Sequence, residues 1–132
     1  MIVVDTNVIV YLFLAGEMSQ QAELALNKDS SWAAPVLWRC EFRNALAGHL
    51  RRAILALDDA QAIMDEALGL MQGREYEVAS AAILGLAAGS NCTAYDCEFV
   101  ALAQELGAPL VTVDKQILAE FPTVAVSLDA FI

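Results

Sequence analysis

Acidic residues outnumber basic ones in this chain of 132 residues: 17 Asp and Glu against 7 Lys and Arg give a net charge of −10, and 58% of the residues are apolar. That charge argues against a broad basic surface for nucleic acid, because phosphate-dominated binding needs clustered Lys and Arg, but a metal-bridged ligand or a basic partner chain stays open. No apolar run approaches the ~20 residues of a membrane span, and there is no basic-then-apolar leader, so we expect one soluble, cytoplasmic domain over residues 1–132. The three cysteines form no Cys-x-x-Cys pair, which predicts neither a disulfide framework nor a zinc site.

Strand-like apolar runs alternate with helical periodicities along the whole chain. Strands are predicted at residues 2–4, 31–34, 76–78, 109–113 and 124–127. Helices are predicted at residues 8–14, 19–26, 35–52, 59–71, 79–88 and 93–106, with a short one after residue 114. We expect Pro35 in the first turn of the third helix and Asp58 at the cap of the fourth. The alternation predicts the α/β class, as a three-layer α/β/α sandwich with a central, mostly parallel sheet of about five strands.

The first predicted strand ends abruptly on a carboxylate. Residues 2–4 are a β-branched run typical of a strand buried on both faces, and Asp5 follows them directly. Ligands in open α/β sheets bind beyond the carboxyl ends of the strands, so Asp5 is a candidate site residue. The alternative is an ordinary turn, in which Thr6 or Asn7 caps a helix that begins near Val8.

Three further acids can reach the same edge of the sheet. Asp114 ends a later apolar strand as Asp5 ends the first. Asp96 lies in the first turn of its helix, where the helix dipole favours the ionised carboxylate, and helix N-termini lie at the carboxyl edge of a doubly wound sheet. Glu41 lies in the middle of the predicted 35–52 helix, on a largely apolar face that points inward. Four carboxylates therefore converge if their strands are neighbours.

Such a cluster needs a counter-charge, because burying even one unpaired acid is costly. Arg39 and Arg43 lie two positions either side of Glu41 and project to the opposite helix face, so a shared divalent cation suits the acids better. An all-oxygen set of ligands favours the hard ions Mg²⁺ or Mn²⁺ over zinc. Asn44, one turn after Glu41, can orient its carboxylate or a metal-bound water.

Taken in order, these residues resemble the PIN-domain nucleases, and within them the small VapC-like toxins of prokaryotic toxin–antitoxin modules. The resemblance covers essentially the whole chain. Its four segments are Asp5-Thr6-Asn7, Glu41-Phe42-Arg43-Asn44, the helix start Tyr95-Asp96 with the residues that follow to Ala103, and Leu110-Val111-Thr112-Val113-Asp114. Each segment is common alone, whereas four of them in this order and at these spacings are specific.

The resemblance implies a metal-dependent endoribonuclease, the toxin of a toxin–antitoxin pair, with an RNA substrate, a cognate antitoxin and a homodimeric state. On this interpretation one or two Mg²⁺ or Mn²⁺ ions activate a water for attack on an RNA phosphodiester. The acids that hold these ions would be Asp5, Glu41, Asp96 and Asp114. The polar residues that would position the acids or the substrate are Thr6, Asn7, Asn44 and Thr112. The apolar excess of the composition agrees with a homodimer.

Two other functions stay open as alternatives. A catalytically silent PIN-like module would bind RNA or protein without cutting it. A haloacid-dehalogenase-like phosphatase also begins with a strand that ends in Asp, but it needs a second Asp two residues later. Asn7 occupies that position here, which disfavours the phosphatase.

Overall fold

A five-stranded sheet in which every strand pair is parallel forms the centre of the computed structural model, which describes residues 1–132. The strands are β1 (Ile2–Val4), β2 (Trp32–Pro35), β3 (Glu75–Tyr76), β4 (Leu110–Thr112) and β5 (Ala125–Ser127). Their order across the sheet is β3-β2-β1-β4-β5, so β1 is the central strand. Val3 is in register with Ala33 of β2 on one side and with Leu110 of β4 on the other. The predicted fold class is confirmed.

Eight helices cover the sheet. They are α1 (Thr6–Phe13), α2 (Ser19–Lys28), α3 (Trp38–Arg51), α4 (Leu57–Met71), α5 (Ser80–Ala88), α6 (Ala94–Leu106), α7 (Lys115–Glu120) and α8 (Leu128–Phe131). The connections from β1 through β2 to β3 and the connection from β3 back to β4 run in opposite directions across the sheet. Right-handed crossovers therefore place α1 to α4 on one face and α5 and α6 on the other. No helix has both the length and the apolar character needed to cross a membrane.

Buried aromatic residues fix α3 against the rest of the fold. Trp38 and Phe42, one turn apart in α3, are fully buried, with ring centroids 5.7 Å apart. Phe13 at the end of α1 packs edge-on against Phe42 at 6.1 Å. These contacts belong to one continuous core of 28 buried residues. They hold the first turn of α3 at the edge of the sheet where β1 and β2 end.

The starts of α3 and α4 differ from the sequence-based expectation. Pro35 is the last residue of β2 and not part of a helix, because the Val36 amide continues the pairing with β3 by donating to the Tyr76 carbonyl at 3.0 Å. Asp58 lies within the first turn of α4, whose N-cap is Ala56 and has no side-chain capping bond. The sequence also gave no indication of α8, which is capped by the Ser127 hydroxyl. The helix α6 ends at Leu106, as predicted, and Gly107 follows it with a left-handed φ of 62°.

Candidate active site

Asp5 lies at the carboxyl end of the central strand and is only 8% exposed. Its Oδ1 accepts a hydrogen bond from the Thr6 amide at 2.8 Å, and its Oδ2 accepts one from the Thr112 hydroxyl at 2.7 Å. Asp5 is itself the N-cap of α1, so the expectation that Thr6 or Asn7 caps this helix is wrong. The helix begins directly after the strand, which leaves Asp5 as the last residue with extended backbone.

The buried position of Asp5 opposes its ionisation. Burial raises the pKa of Asp5 from 3.8 to about 6, and the charges of Glu41 and Asp96 act in the same direction. The hydrogen bonds from Thr112 and Thr6 offset part of this rise, because they stabilise the ionised form. The cluster thus contains a carboxylate without sufficient counter-charge.

Glu41 lies in the first turn of α3 and not in the middle of a helix, because α3 begins only at Trp38. The half-buried Glu41 side chain accepts a hydrogen bond at Oε1 from the Thr6 hydroxyl at 2.8 Å. Burial is the main cause that raises the pKa of Glu41, and the charges of Asp96 and Glu98 raise it further. The hydrogen bond from Thr6 lowers this pKa and so offsets part of the rise. Since α3 starts at the carboxyl edge of the sheet, its first turn brings Glu41 towards Asp5.

Asp96 lies in the first turn of α6, as predicted. The Thr93 hydroxyl caps this helix by accepting a hydrogen bond from the Asp96 amide at 3.1 Å. Burial raises the pKa of the half-buried Asp96, the charge of Asp114 raises it further, and hydrogen bonding with Thr93 partly offsets both. Asp96 therefore shares its electrostatic environment with both Asp5 and Asp114.

Asp114 is fixed by the start of α7. Its Oδ1 accepts hydrogen bonds from the Gln116 and Ile117 amides at 2.9 and 3.0 Å, which makes it the N-cap of that helix. The Asp114 amide donates to the Thr112 hydroxyl at 3.0 Å. The same hydroxyl donates to Asp5, so Thr112 links the two acids that follow the neighbouring strands β1 and β4.

The four acids have the ligand chemistry that a hard divalent cation needs. Their geometry is more open, because no three Asp, Glu, His or Cys side chains converge closely enough in this fold to hold one ion together. All the donor atoms are carboxylate oxygens, the ligands that Mg²⁺ and Mn²⁺ prefer. The second oxygens of Glu41 and Asp114 accept no hydrogen bond from the protein. Like charges repel across the cluster, and a cation would remove that repulsion and allow the acids to approach.

The two asparagines lie at the edge of the cluster. Asn7 is half-buried in the first turn of α1, and Asn44 is exposed on α3. Neither makes a hydrogen bond to one of the four acids. The donor to Glu41 is Thr6, not Asn44, whose side chain instead lines an open cleft beside Glu41.

Glu98 belongs to the electrostatic neighbourhood of the cluster and was not singled out by the sequence. Burial raises its own pKa, and its charge contributes to the raised pKa of Glu41. Glu98 comes two residues after Asp96, so it points to a different side of α6, and no helical spacing links the two. Only the folded structure, which brings the start of α6 near the first turn of α3, reveals this interaction.

A family model described as PIN domain matches residues 2–123, which is most of the chain. The chain belongs to the PIN-domain family. Ribonuclease VapC3 of Pyrobaculum aerophilum is 32% identical to this PIN-domain chain over 124 residues, an alignment that covers 92% of the chain and 95% of that protein. The predicted relation to VapC-like PIN-domain proteins is confirmed.

Solved structures carry the same PIN-domain fold. A toxin–antitoxin complex from Klebsiella pneumoniae matches with a TM-score of 0.72 at 18% identity, covering 97% of this chain and 98% of that one. FitAcB from Neisseria gonorrhoeae matches with a TM-score of 0.76 at 17% identity, with the same two coverages of 97% and 98%. At such low identities the likeness is one of fold.

Proposed function

We propose that this PIN-domain chain is a metal-dependent endoribonuclease and the toxin of a toxin–antitoxin pair, working as one domain over residues 1–132. The observation that carries the proposal is the set of acids held by threonines at the carboxyl edge of the sheet. Thr112 holds Asp5, Thr6 holds Glu41, and the charges of Asp96 and Asp114 act on the same cluster. The names of its relatives, Ribonuclease VapC3 and a toxin–antitoxin complex, point the same way.

The residues that would hold one or two Mg²⁺ or Mn²⁺ ions are Asp5, Glu41, Asp96 and Asp114. A metal held there would supply Lewis-acid chemistry for the phosphodiester and would activate a water as nucleophile. The raised pKa of Asp5 supports this role, because its ionised form lacks a counter-charge that a divalent cation provides. Thr6 and Thr112 keep Glu41 and Asp5 in fixed orientations, which limits the reorganisation needed when a substrate arrives.

The two buried cysteines near the cluster are poor nucleophiles. Cys92 and Cys97 are buried, and burial raises the pKa of Cys92 to about 11 and also raises the pKa of Cys97, so both remain thiols at neutral pH. We therefore assign water as the attacking group. This favours hydrolysis over transfer to a protein side chain.

Few cations near the cluster are free to bind RNA phosphates. The Arg39 guanidinium is held by Glu75 through two hydrogen bonds of 2.5 and 2.8 Å. The one side-chain hydrogen bond of Arg43 is to the Cys40 sulfur at 3.4 Å, and Lys115 is exposed directly after Asp114. We assign Lys115 as a phosphate contact, because it directly follows the proposed metal ligand Asp114, whereas Arg43 projects to the opposite face of α3 from Glu41.

A groove between α3 and α4 provides a surface for the antitoxin. It has a volume of about 220 Å³ and is mostly apolar, with Leu50, Leu57 and Met64 among its lining residues. Leu57 is 59% exposed, so its side chain adds apolar surface at the groove. An amphipathic antitoxin helix with a basic polar face fits both the apolar lining and the net charge of −10.

The helix α5 provides the surface for a homodimer. It contains no charged residue, and none of its nine residues is buried. Leu84, near its middle, is 63% exposed. Two acidic copies of the chain can approach along this uncharged helix without bringing like charges together. Ion pairs are not required for such a contact.

The test of the function is incubation of the purified chain with unstructured and structured RNA, in Mn²⁺ and in EDTA. We expect cleavage in Mn²⁺ that stops in EDTA and in the variant Asp5→Asn, while the control Asp65→Asn, an exposed acid on α4, stays active. Cleavage that survives EDTA or Asp5→Asn would exclude the metal mechanism. RNA binding in Mn²⁺ without any cleavage would instead support the silent binding module.

A further inference from the structure

An open cleft of about 250 Å³ adjoins the acid cluster between the first turn of α3 and the start of α6. Its lining residues are Leu37, Cys40, Glu41, Asn44 and Tyr95. Glu41 belongs to both the cleft and the acid cluster, so a group bound in the cleft lies next to the proposed reaction centre. The volume is below the roughly 300–1,000 Å³ of pockets for drug-sized ligands, which suits a single flat ring system.

The aromatic wall of this cleft faces solvent. Tyr95 is 63% exposed, whereas Tyr11 and Tyr76 are half-buried. The packing of α6 does not use this ring, because the buried face of the helix consists of residues from Cys97 onward. An exposed ring directly before Asp96 is available for stacking with a ligand.

The polar wall of the cleft also lacks a partner within the protein. Asn44 is exposed, and its amide forms no hydrogen bond to another residue. A side-chain amide offers two donors and one acceptor in a plane, which matches the edge of a nucleobase. Leu37 adds an apolar side chain to the lining of the cleft.

The charge of the cleft argues against a phosphate in it. Glu41 contributes a carboxylate to its lining, and no Lys or Arg lines it. A phosphate group would meet repulsion there, whereas a neutral base would not. An aromatic ring, an amide and an apolar contact together are the usual means of holding an unstacked base.

We propose that an unpaired nucleobase of the RNA, adjacent to the cleaved bond, binds in this cleft, stacked on Tyr95 and hydrogen-bonded by Asn44. The assignment rests on the proposed ribonuclease function. It makes single-stranded RNA the preferred substrate, because a base within a duplex is not free to enter the cleft. Tyr95 and Asn44 are thus positioning residues for the substrate.

The test combines variants of Tyr95 with RNAs that lack one base at a time. A short single-stranded RNA that wild-type protein cleaves is prepared with an abasic nucleotide at each position near the cleaved bond. On the complete RNA we expect Tyr95→Ala to raise KM about tenfold or more with a smaller change in kcat, and Tyr95→Phe, which keeps the ring, to stay close to wild type. At one abasic position next to the cleaved bond, the difference between wild type and Tyr95→Ala should disappear.

Two further variants sharpen this comparison. Asn44→Ala should reduce the preference among the four bases at that same position and change cleavage of the abasic RNA little. Ile54→Ala is the control, because Ile54 is 59% exposed and follows the far end of the 14-residue α3, about 20 Å from the cleft. It should leave KM unchanged.

The outcomes separate the cleft from the proposed function. A Tyr95→Ala defect that is equal on every abasic RNA, or a Tyr95→Phe defect as large as that of Tyr95→Ala, overturns the assignment. If wild-type protein cleaves no RNA, the nuclease function fails, and anisotropy of the same labelled RNAs in EDTA then tests the cleft alone. If Tyr95→Ala binds the complete RNA more weakly than wild type and this difference vanishes at one abasic position, the result supports base binding in the cleft. If the difference vanishes at no abasic position, or is absent on the complete RNA, the assignment is overturned.

Discussion

Replacing Asp5 by Asn should stabilise the metal-free protein at neutral pH. Burial raises the pKa of Asp5 from 3.8 to about 6. Between these values the folded state binds more protons than the unfolded state, so the free energy of unfolding falls as pH rises through this window. Above it, the ionised Asp5 lowers the stability by about 3 kcal/mol.

The variant Asp5→Asn keeps the shape of the side chain and removes this charge. It also loses the acceptor of the Thr112 hydroxyl, which costs about 1 kcal/mol. We therefore expect a net gain of about 2 kcal/mol near pH 7.5. Near pH 4, where Asp5 is neutral in the folded state, Asp5→Asn should only be less stable than wild type, by the roughly 1 kcal/mol of the lost hydrogen bond.

Urea unfolding in EDTA at both pH values measures this difference, with Asp65→Asn as the control for an exposed acid on α4. Adding Mn²⁺ at about 100 times its dissociation constant should stabilise wild type by about 2.7 kcal/mol and so remove the advantage of Asp5→Asn. A difference between Asp5→Asn and wild type that is the same at pH 4 and 7.5 would refute the buried-charge reasoning.

Four other changes test the Thr112 bond, the α5 surface and two glycines. Thr112→Val removes the donor to Asp5 and should lower the free energy of unfolding by about 1–3 kcal/mol near pH 7.5 in urea titrations; unchanged stability would show that this bond is unimportant. Leu84→Glu should convert a dimer to a monomer in light scattering, while Leu24→Glu on α2 should not; a monomeric wild type would contradict the α5 interface. Gly107→Ala should lower the melting temperature, because φ is 62° at Gly107 and an alanine in this left-handed conformation lowers the free energy of unfolding by about 1 kcal/mol or more. In Gly69→Ala, where nothing lies within 4 Å of the added Cβ, the melting temperature should rise instead.

The strands and the acids that follow them could be predicted because both depend on local sequence. An apolar β-branched run that ends in Asp indicates a buried strand with an acid at its end, and this holds for Asp5 and Asp114. Asp96 follows a Thr that caps a helix, which is also a local signal. Parallel strands then bring such residues to one edge without further information.

The remaining differences arise from contacts between distant segments. Pro35 stays in β2 because of pairing with β3, a strand of only two residues that begins 40 positions later. The shortened α3 then moves Glu41 from mid-helix to the first turn. Its hydrogen-bond donor is Thr6, 35 positions away, and not the neighbouring Asn44. No local pattern contains these pairings.

The bond between Thr112 and Asp5 spans 107 positions of the chain. During synthesis Asp5, Glu41 and Asp96 all leave the ribosome before β4, which carries Thr112 and pairs with the central strand. A nascent chain therefore presents these acids one after another but lacks the strand that aligns Asp5 with Asp114. For a protein proposed to cut RNA, this order of emergence delays assembly of the site until β4 is free to fold. During that time the proposed nuclease has no completed site with which to cut the RNA of the ribosome that makes it.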